Sequence, residues 1–259
     1  MGNQHEKIRS QFQKQASNFS RKGSSQTNDR YIQWILESLN LGSDDRVLDV
    51  AAGTGILSRA MAPRCRQVTA IDLSTHMLKQ GQNETMDAGI TNINFVEGVA
   101  EKLPFEDHQF DIVVCRFAFH HIENPRQVLR EMVRACKVGG TIAVIDIVSP
   151  EDDHLAAVYN RYEILRDPSH VRALKRSAMS ALFRQEGIFV IVDESIDVES
   201  DFEKWLSLTH PAKEIAHELI CDVTNEIEGG SSTGLRPFYK NGKLYFHHTF
   251  MKIVGKVDG

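Results

Sequence analysis

Cysteine is scarce and scattered in these 259 residues: Cys65, Cys115, Cys136 and Cys221 form no Cys-x-x-Cys pair and share no zinc-ligand spacing with histidine. Structural thiols are therefore expected, with no metal. No run approaches the roughly 20 apolar residues of a membrane span. The polar residues 1–10 carry no apolar secretory core either. A cytoplasmic enzyme without a membrane partner is expected. Long basic stretches are also missing. With a net charge of −5 and no cationic run longer than a few residues, a small molecule is the expected partner and nucleic acid is not. Oligomeric state has no signature in the sequence.

The most informative stretch is Val47-Leu48-Asp49-Val50-Ala51-Ala52-Gly53-Thr54-Gly55, an apolar run ending in an acid, small residues and Gly-Thr-Gly. A helical pattern follows from Ile56, so the stretch reads as strand, tight turn and helix. Gly53 and Gly55 let the backbone turn and approach a ligand where a Cβ would block it. Asp49 suits a ligand with a cationic amino group, whereas it would repel a pyrophosphate. A dinucleotide fold also needs a third glycine, and Ser58 occupies that place. An NAD(P)-dependent dehydrogenase is thereby disfavoured. A second apolar run ends at Asp72, near where doubly wound folds put a ribose-binding carboxylate.

Two further strands follow, around Phe95 and over 110–115, joined by a loop through Val99, Glu101 and Phe105. In that order these residues resemble the class I S-adenosylmethionine-dependent methyltransferases, in the branch similar to the ubiquinone/menaquinone-biosynthesis C-methyltransferases. Gln11-Phe12-Gln13-Lys14-Gln15-Ala16, Cys115-Arg116-Phe117-Ala118-Phe119-His120-His121 and Lys137-Val138-Gly139-Gly140 extend the resemblance over nearly the whole chain. It implies an α/β, Rossmann-like doubly wound sheet of seven strands, parallel with an antiparallel last strand, with helical lid and cover segments. It also implies S-adenosyl-L-methionine as cofactor and a small acceptor, aromatic or quinone-like. Asp49, Ala51, Gly53 and Gly55 would meet the methionine end, Asp72 both ribose hydroxyls, and Leu73 and Met77 the adenine. Many relatives carry an acid where this chain has Val99, which leaves adenine recognition to backbone near Ala100. Main-chain oxygen at Cys115 and Arg116 would meet the amino group, and the Arg116 side chain would bind the carboxylate or simply salt-bridge a surface acid.

One domain is expected, with a helical lid over 1–40, a cofactor-binding core over 41–150, a helical substrate cover over 151–186 and sheet completion over 187–259. In the resembling enzymes the first segment folds over the cofactor, which makes Phe12, Phe19 and Lys22 lid candidates. The fourth strand is apolar throughout and so buried on both faces. Asn124-Pro125 is a helix start, and strands are expected over 141–148, 188–192 and 243–256. Methyl transfer from a sulfonium depends chiefly on alignment. The candidate acceptor-side residues are His120, just past the fourth strand, with Arg166 and His170 in the cover, where Asp167-Pro168 breaks the helix. Adjacent His120 and His121 with Cys115 do not make a plausible metal site, and His247 and His248 read as structural. A module that binds the cofactor for regulation without transferring the methyl group is the remaining alternative.

Overall fold

The computed structural model describes residues 2–19 and 29–258. Its centre is the strand Arg46–Val50 (β1), in which every residue after Arg46 is buried. A strand buried on both faces needs neighbours on both edges and a layer on each side. The parallel strands Gln67–Asp72 (β2) and Phe110–Arg116 (β4) flank it. Ile93–Glu97 (β3) lies outside β2, and Cys136–Val148 (β5) lies parallel to β4. Lys243–Val257 (β8) then runs antiparallel between β5 and Ile188–Asp201 (β6). The order is β3-β2-β1-β4-β5-β8-β6, with the short Phe238–Lys240 (β7) paired to the start of β8. This is the expected doubly wound sheet plus one unforeseen strand.

Helices cover both faces. Gly2–Phe19 (α1) and Asp29–Leu36 (α2) precede the sheet, and Ile56–Met61 (α3) and Thr75–Asp87 (α4) follow β1 and β2. Pro125–Ala135 (α5) starts as expected, with Asn124 accepting a bond from Gln127 N–H at 3.2 Å. One core layer joins Val128, Leu129 and Met132 of α5 to Phe183 of Arg176–Gln185 (α7) beneath β4 and β5. The opposite layer joins Ile35 and Leu36 of α2 to Leu57 and Met61 of α3. No helix among the described residues is long and apolar enough to cross a membrane.

Two strands depart from expectation. β5 begins at Cys136, ahead of the glycine pair, and a bulge opposite Asp111 takes up the extra residues. Gly140 is confined there, because a Cβ would lie 2.6 Å from Cys136 Sγ and 2.9 Å from the Asp111 carbonyl. β6, expected to stop at 192, continues to Asp201 paired with β8. Because β5 ends at Val148 opposite Thr249, the β6–β8 ladder runs on past the carboxyl end of β5. Asp153–Arg166 (α6), Phe202–Thr209 (α8) and Lys213–Ile227 (α9) pack around that extension. Trp205 of α8 meets Phe246 edge to face at 5.0 Å, a contact type worth about 0.5–1.5 kcal/mol beyond its buried area.

Candidate active site

The strand order reverses between β1 and β4, and an open α/β sheet forms its crevice at such a switch point, beyond the carboxyl ends. The chain leaves β1 in the left-handed region at Ala51 (φ +54°), Gly53 (+57°) and Gly55 (+72°), and leaves β4 the same way at Phe117 (+54°). Left-handed backbone at Ala51 and Phe117 is of the kind that costs about 1–3 kcal/mol and clusters at functional sites. Asp72 fixes the turn: its Oδ2 accepts Gly53 N–H at 2.7 Å and its Oδ1 accepts Ser74 N–H at 2.8 Å. Burial raises the Asp72 pKa against these backbone bonds.

A cavity of about 590 Å³ opens there, within the roughly 300–1,000 Å³ of small-ligand sites. Ala51, Gly53, Asp72, Leu73 and Met77 line one end, with Val99 and Ala100 beside them. Arg116, His120 and Arg166 line the other part. Four expected residues stand behind the wall instead. Asp49 is 1% exposed and accepts a 2.6 Å bond from Ser58 Oγ, so the residue in the third-glycine place anchors the buried acid. Burial pushes Asp49 up to about 6, opposed by the Ser58 bond and the Arg116 charge. Gly55 serves packing: a Cβ on it would lie 3.1 Å from the Phe95 ring. Cys115 is buried in the core, where desolvation pushes its thiol up. His170 is 4% exposed and its Nε2 bonds Asn160 Oδ1 at 2.9 Å, so it backs the site without lining it.

The second end combines the expected His120, Arg166 and α6 with groups that the sequence did not signal: Asp146, Glu163, Trp205 and His248. Asp146 of β5 holds His120, with 2.5 Å between Oδ1 and Nδ1, and accepts the His120 backbone N–H on Oδ2 at 3.2 Å. Burial would lower the His120 pKa, but the Asp146 charge and hydrogen bond raise it overall. Glu163 of α6, fully buried, accepts from Arg166 Nη2 at 3.0 Å and pairs with His248 Nε2 at 3.0 Å. His248 keeps the hydrogen-bonded place expected of it and also lines the cavity, while His247 is turned away, stacked on Phe238. The Arg166 guanidinium lies 4.8 Å from the centre of the Trp205 ring. Phe117 and Phe250 add aromatic wall. Of the expected cover, α6 reaches the cavity while α7 packs under the sheet, and α8 on the β6–β8 extension completes the enclosure.

Helix α1 closes the top. Gln4 Nε2 donates to the carbonyls of His121 at 3.0 Å and Ser169 at 2.7 Å, and His5 pairs with Glu101 at 3.2 Å. His5, Ile8 and Phe12 line the cavity, and Phe12 meets the His121 ring edge to face at 5.2 Å. The side chain of Phe19, and Lys22, lie outside the described residues.

Residues 48–144 match a family described as a methyltransferase domain. The ubiquinone/menaquinone biosynthesis C-methyltransferase UbiE of Ectopseudomonas mendocina is 32% identical over 66% of this chain and 70% of its own length. The chain belongs to the S-adenosylmethionine-dependent methyltransferases. This methyltransferase is also 27% identical to the uncharacterised methyltransferase YcgJ of Bacillus subtilis, over 81% of this chain and 83% of that one. The YcgJ crystal structure superposes with a TM-score of 0.82, covering 90% of this chain and all of that one. A candidate methyltransferase of Bacillus halodurans superposes at 0.81 with 28% identity, covering 88% and 99%.

The methyltransferase's own residues fit the cofactor its family uses. A ligand seated on the Ala51–Thr54 turn meets backbone with nothing nearer to a Gly53 Cβ than Met77 Cε at 3.4 Å, so the cradle is open. Two carboxylates with raised pKa values, the buried Asp49 and the half-buried Asp72, stand near the ends of β1 and β2, where a cationic amino group and hydroxyl donors would offset their desolvation. Leu73, Met77 and Val99 add apolar lining, of the kind that would suit a flat base.

Proposed function

We propose that this methyltransferase binds S-adenosylmethionine along the Ala51–Thr54 turn and Asp72 and transfers its methyl group to a small, aromatic or quinone-like acceptor. In this reading Ala51, Gly53 and Arg116 hold the methionine end, with Asp49 acting through the turn from behind. Asp72 takes the ribose hydroxyls, each of its oxygens keeping a lone pair beyond the backbone bond it already accepts. Leu73, Met77, Val99 and Ala100 enclose the adenine. The acceptor lies between His120 and the Glu163–Arg166–Trp205 wall. The cofactor supplies a methyl group on a sulfonium, and the chain supplies alignment and exclusion of water. The observation that carries the reading is continuity: the turn and the aromatic end share one cavity under α1. The name of the UbiE relative supports a ring acceptor, as do Trp205, Phe117 and Phe250 in the wall.

Calorimetry tests the cofactor half. S-adenosylmethionine and S-adenosylhomocysteine should bind and NAD should not. Asp72→Ala should weaken binding at least tenfold, about 1.4 kcal/mol. Unchanged affinity in that variant would remove Asp72 from the ribose site. Binding of NAD alone would overturn the reading.

A further inference from the structure

We propose that Asp146 positions His120 as the proton acceptor for a weakly acidic hydroxyl of the methyl acceptor, which places the acceptor among compounds whose nucleophile forms by loss of an O–H proton. This rests on the reading of the cavity as the methyl-transfer site.

Three imidazoles meet here, with ring centres 4.1 Å apart for His120 and His121 and 5.4 Å for His120 and His170. Their surroundings separate them. His121 spends Nδ1 on the Ser169 carbonyl at 3.0 Å, and burial together with the His120 charge pushes it down to about 4. His170 is pushed down to about 3, chiefly by burial, and does not reach the cavity. Both are neutral, weak bases. His120 differs in that its ring Nδ1 bonds a carboxylate directly, Asp146 Oδ1 at 2.5 Å.

Asp146 grips His120 at two points, the ring Nδ1 and the backbone N–H, and is itself fixed by the Ile147 N–H at 2.7 Å. With Nδ1–H directed to Asp146, the neutral ring carries its lone pair on Nε2. That atom has no hydrogen bond to the described residues, while His120 lines the cavity. A carboxylate in this position fixes the tautomer and stabilises the imidazolium formed when a proton is taken. Glu163 and Asp167 from the α6 side also favour that cation, and His121 and His170 are the neighbouring titratable groups from the other elements.

Transfer from a sulfonium requires no proton from the donor. A base with a dedicated carboxylate therefore has a use only where the nucleophile must lose a proton. In the step, the acceptor O–H bond breaks with its electron pair remaining on oxygen, and the Nε2 lone pair forms the new N–H bond. The resulting oxyanion, or a carbon conjugated to it, is the nucleophile. It forms the new bond to the methyl group as the methyl–sulfur bond breaks with its electron pair going to sulfur. Where carbon is methylated, that carbon then loses its C–H proton while the oxygen regains one. The proton leaves His120 to water after turnover. Asp146 is the positioning residue; it does not touch the acceptor.

The test uses 4-nitrophenol, whose ionised form is coloured and whose neutral form is not. The full chain is saturated with S-adenosylhomocysteine, 4-nitrophenol is added, and the ionised fraction is read against pH. The apparent pKa of the bound probe should fall by about one unit, a tenfold change in the ratio of ionised to neutral form. His120→Ala and Asp146→Asn should abolish that fall while keeping S-adenosylhomocysteine affinity, and Asp146→Glu should restore part of it. Wild-type protein that neither binds nor ionises the probe at millimolar concentration overturns the proposal, as does an undiminished shift in Asp146→Asn. Failure of S-adenosylhomocysteine to bind would instead sink the methyl-transfer reading, so the two failures are distinguishable.

Discussion

Glu163 illustrates how a residue can look ordinary in sequence and be constrained in the fold. A glutamate three residues before Arg166 on a helix reads as a solvated surface pair. Here it is fully buried between Arg166 and His248. Burial would raise its pKa, but the Arg166 charge and the His248 hydrogen bond hold it well below the usual carboxylate range. A depressed folded-state pKa means that the stabilisation is complete above the unfolded value, about 4.3 for glutamate, and is lost as pH falls below it. Glu163→Ala leaves the Arg166 guanidinium and the His248 ring facing an empty place and should cost about 3–5 kcal/mol at pH 7. In urea unfolding, the gap between wild type and variant should narrow as the pH is lowered toward 3. A neutral-pH gap below about 1 kcal/mol would mean that cavity water already screens the pairs. Asp146 escaped notice for a related reason: inside an almost wholly aliphatic strand, only the fold reveals that it faces His120.

Among elements, the described side chains of α1 hold it by polar contacts and a few apolar ones. Its attachment to the site runs through Gln4, His5 and Phe12. Segments with so little buried apolar area open at low free energy. Amide exchange in α1 should therefore slow when S-adenosylhomocysteine binds, and Gln4→Ala should reduce that protection by freeing the His121 and Ser169 carbonyls. Equal exchange with and without ligand would make α1 a fixed wall. Elements with one clean periodicity were legible in the chain: β1, β4 and α5 each bury a continuous stripe or both faces, and their limits fall within a residue or two of expectation. β6 was legible only over 188–192, where its ladder shifts register between Val190 and Val192 and the alternation breaks. Beyond the bulge, Ile196 and Val198 stand among acids such as Asp197, which pairs with Arg236. The acceptor wall carried on this extension was hidden with it.

At the scale of the molecule, the cavity draws on two parts of the fold. In the proposed reading, the cofactor end belongs to the carboxyl ends of β1 to β4 in the central sheet. The proposed acceptor end belongs to α6, α8 and the β6–β8 extension, which have their own apolar cluster around Phe202, Trp205 and Phe246. Glycine turns and strand-end acids have few structural solutions, which is why the first part was legible in sequence. Aromatic residues from distant segments have many, so of the second part only His120, Arg166 and α6 were legible, and Trp205 and Phe250 were not. The division predicts separable defects. A ligand that binds only the native state stabilises by RT ln(1 + [L]/Kd), about 2.7 kcal/mol at a hundredfold excess over Kd. S-adenosylhomocysteine at that level should raise the melting temperature of wild type and of Trp205→Phe by the same amount, even though the latter starts lower after losing indole packing against Phe246 and Arg166. Asp72→Ala should show a much smaller rise at the same concentration. Methyl transfer by Trp205→Phe should fall through a weaker KM for the acceptor, with cofactor affinity retained. If its ligand-induced rise disappeared along with that of Asp72→Ala, the two ends would be one cooperative unit and the acceptor wall would be part of cofactor binding.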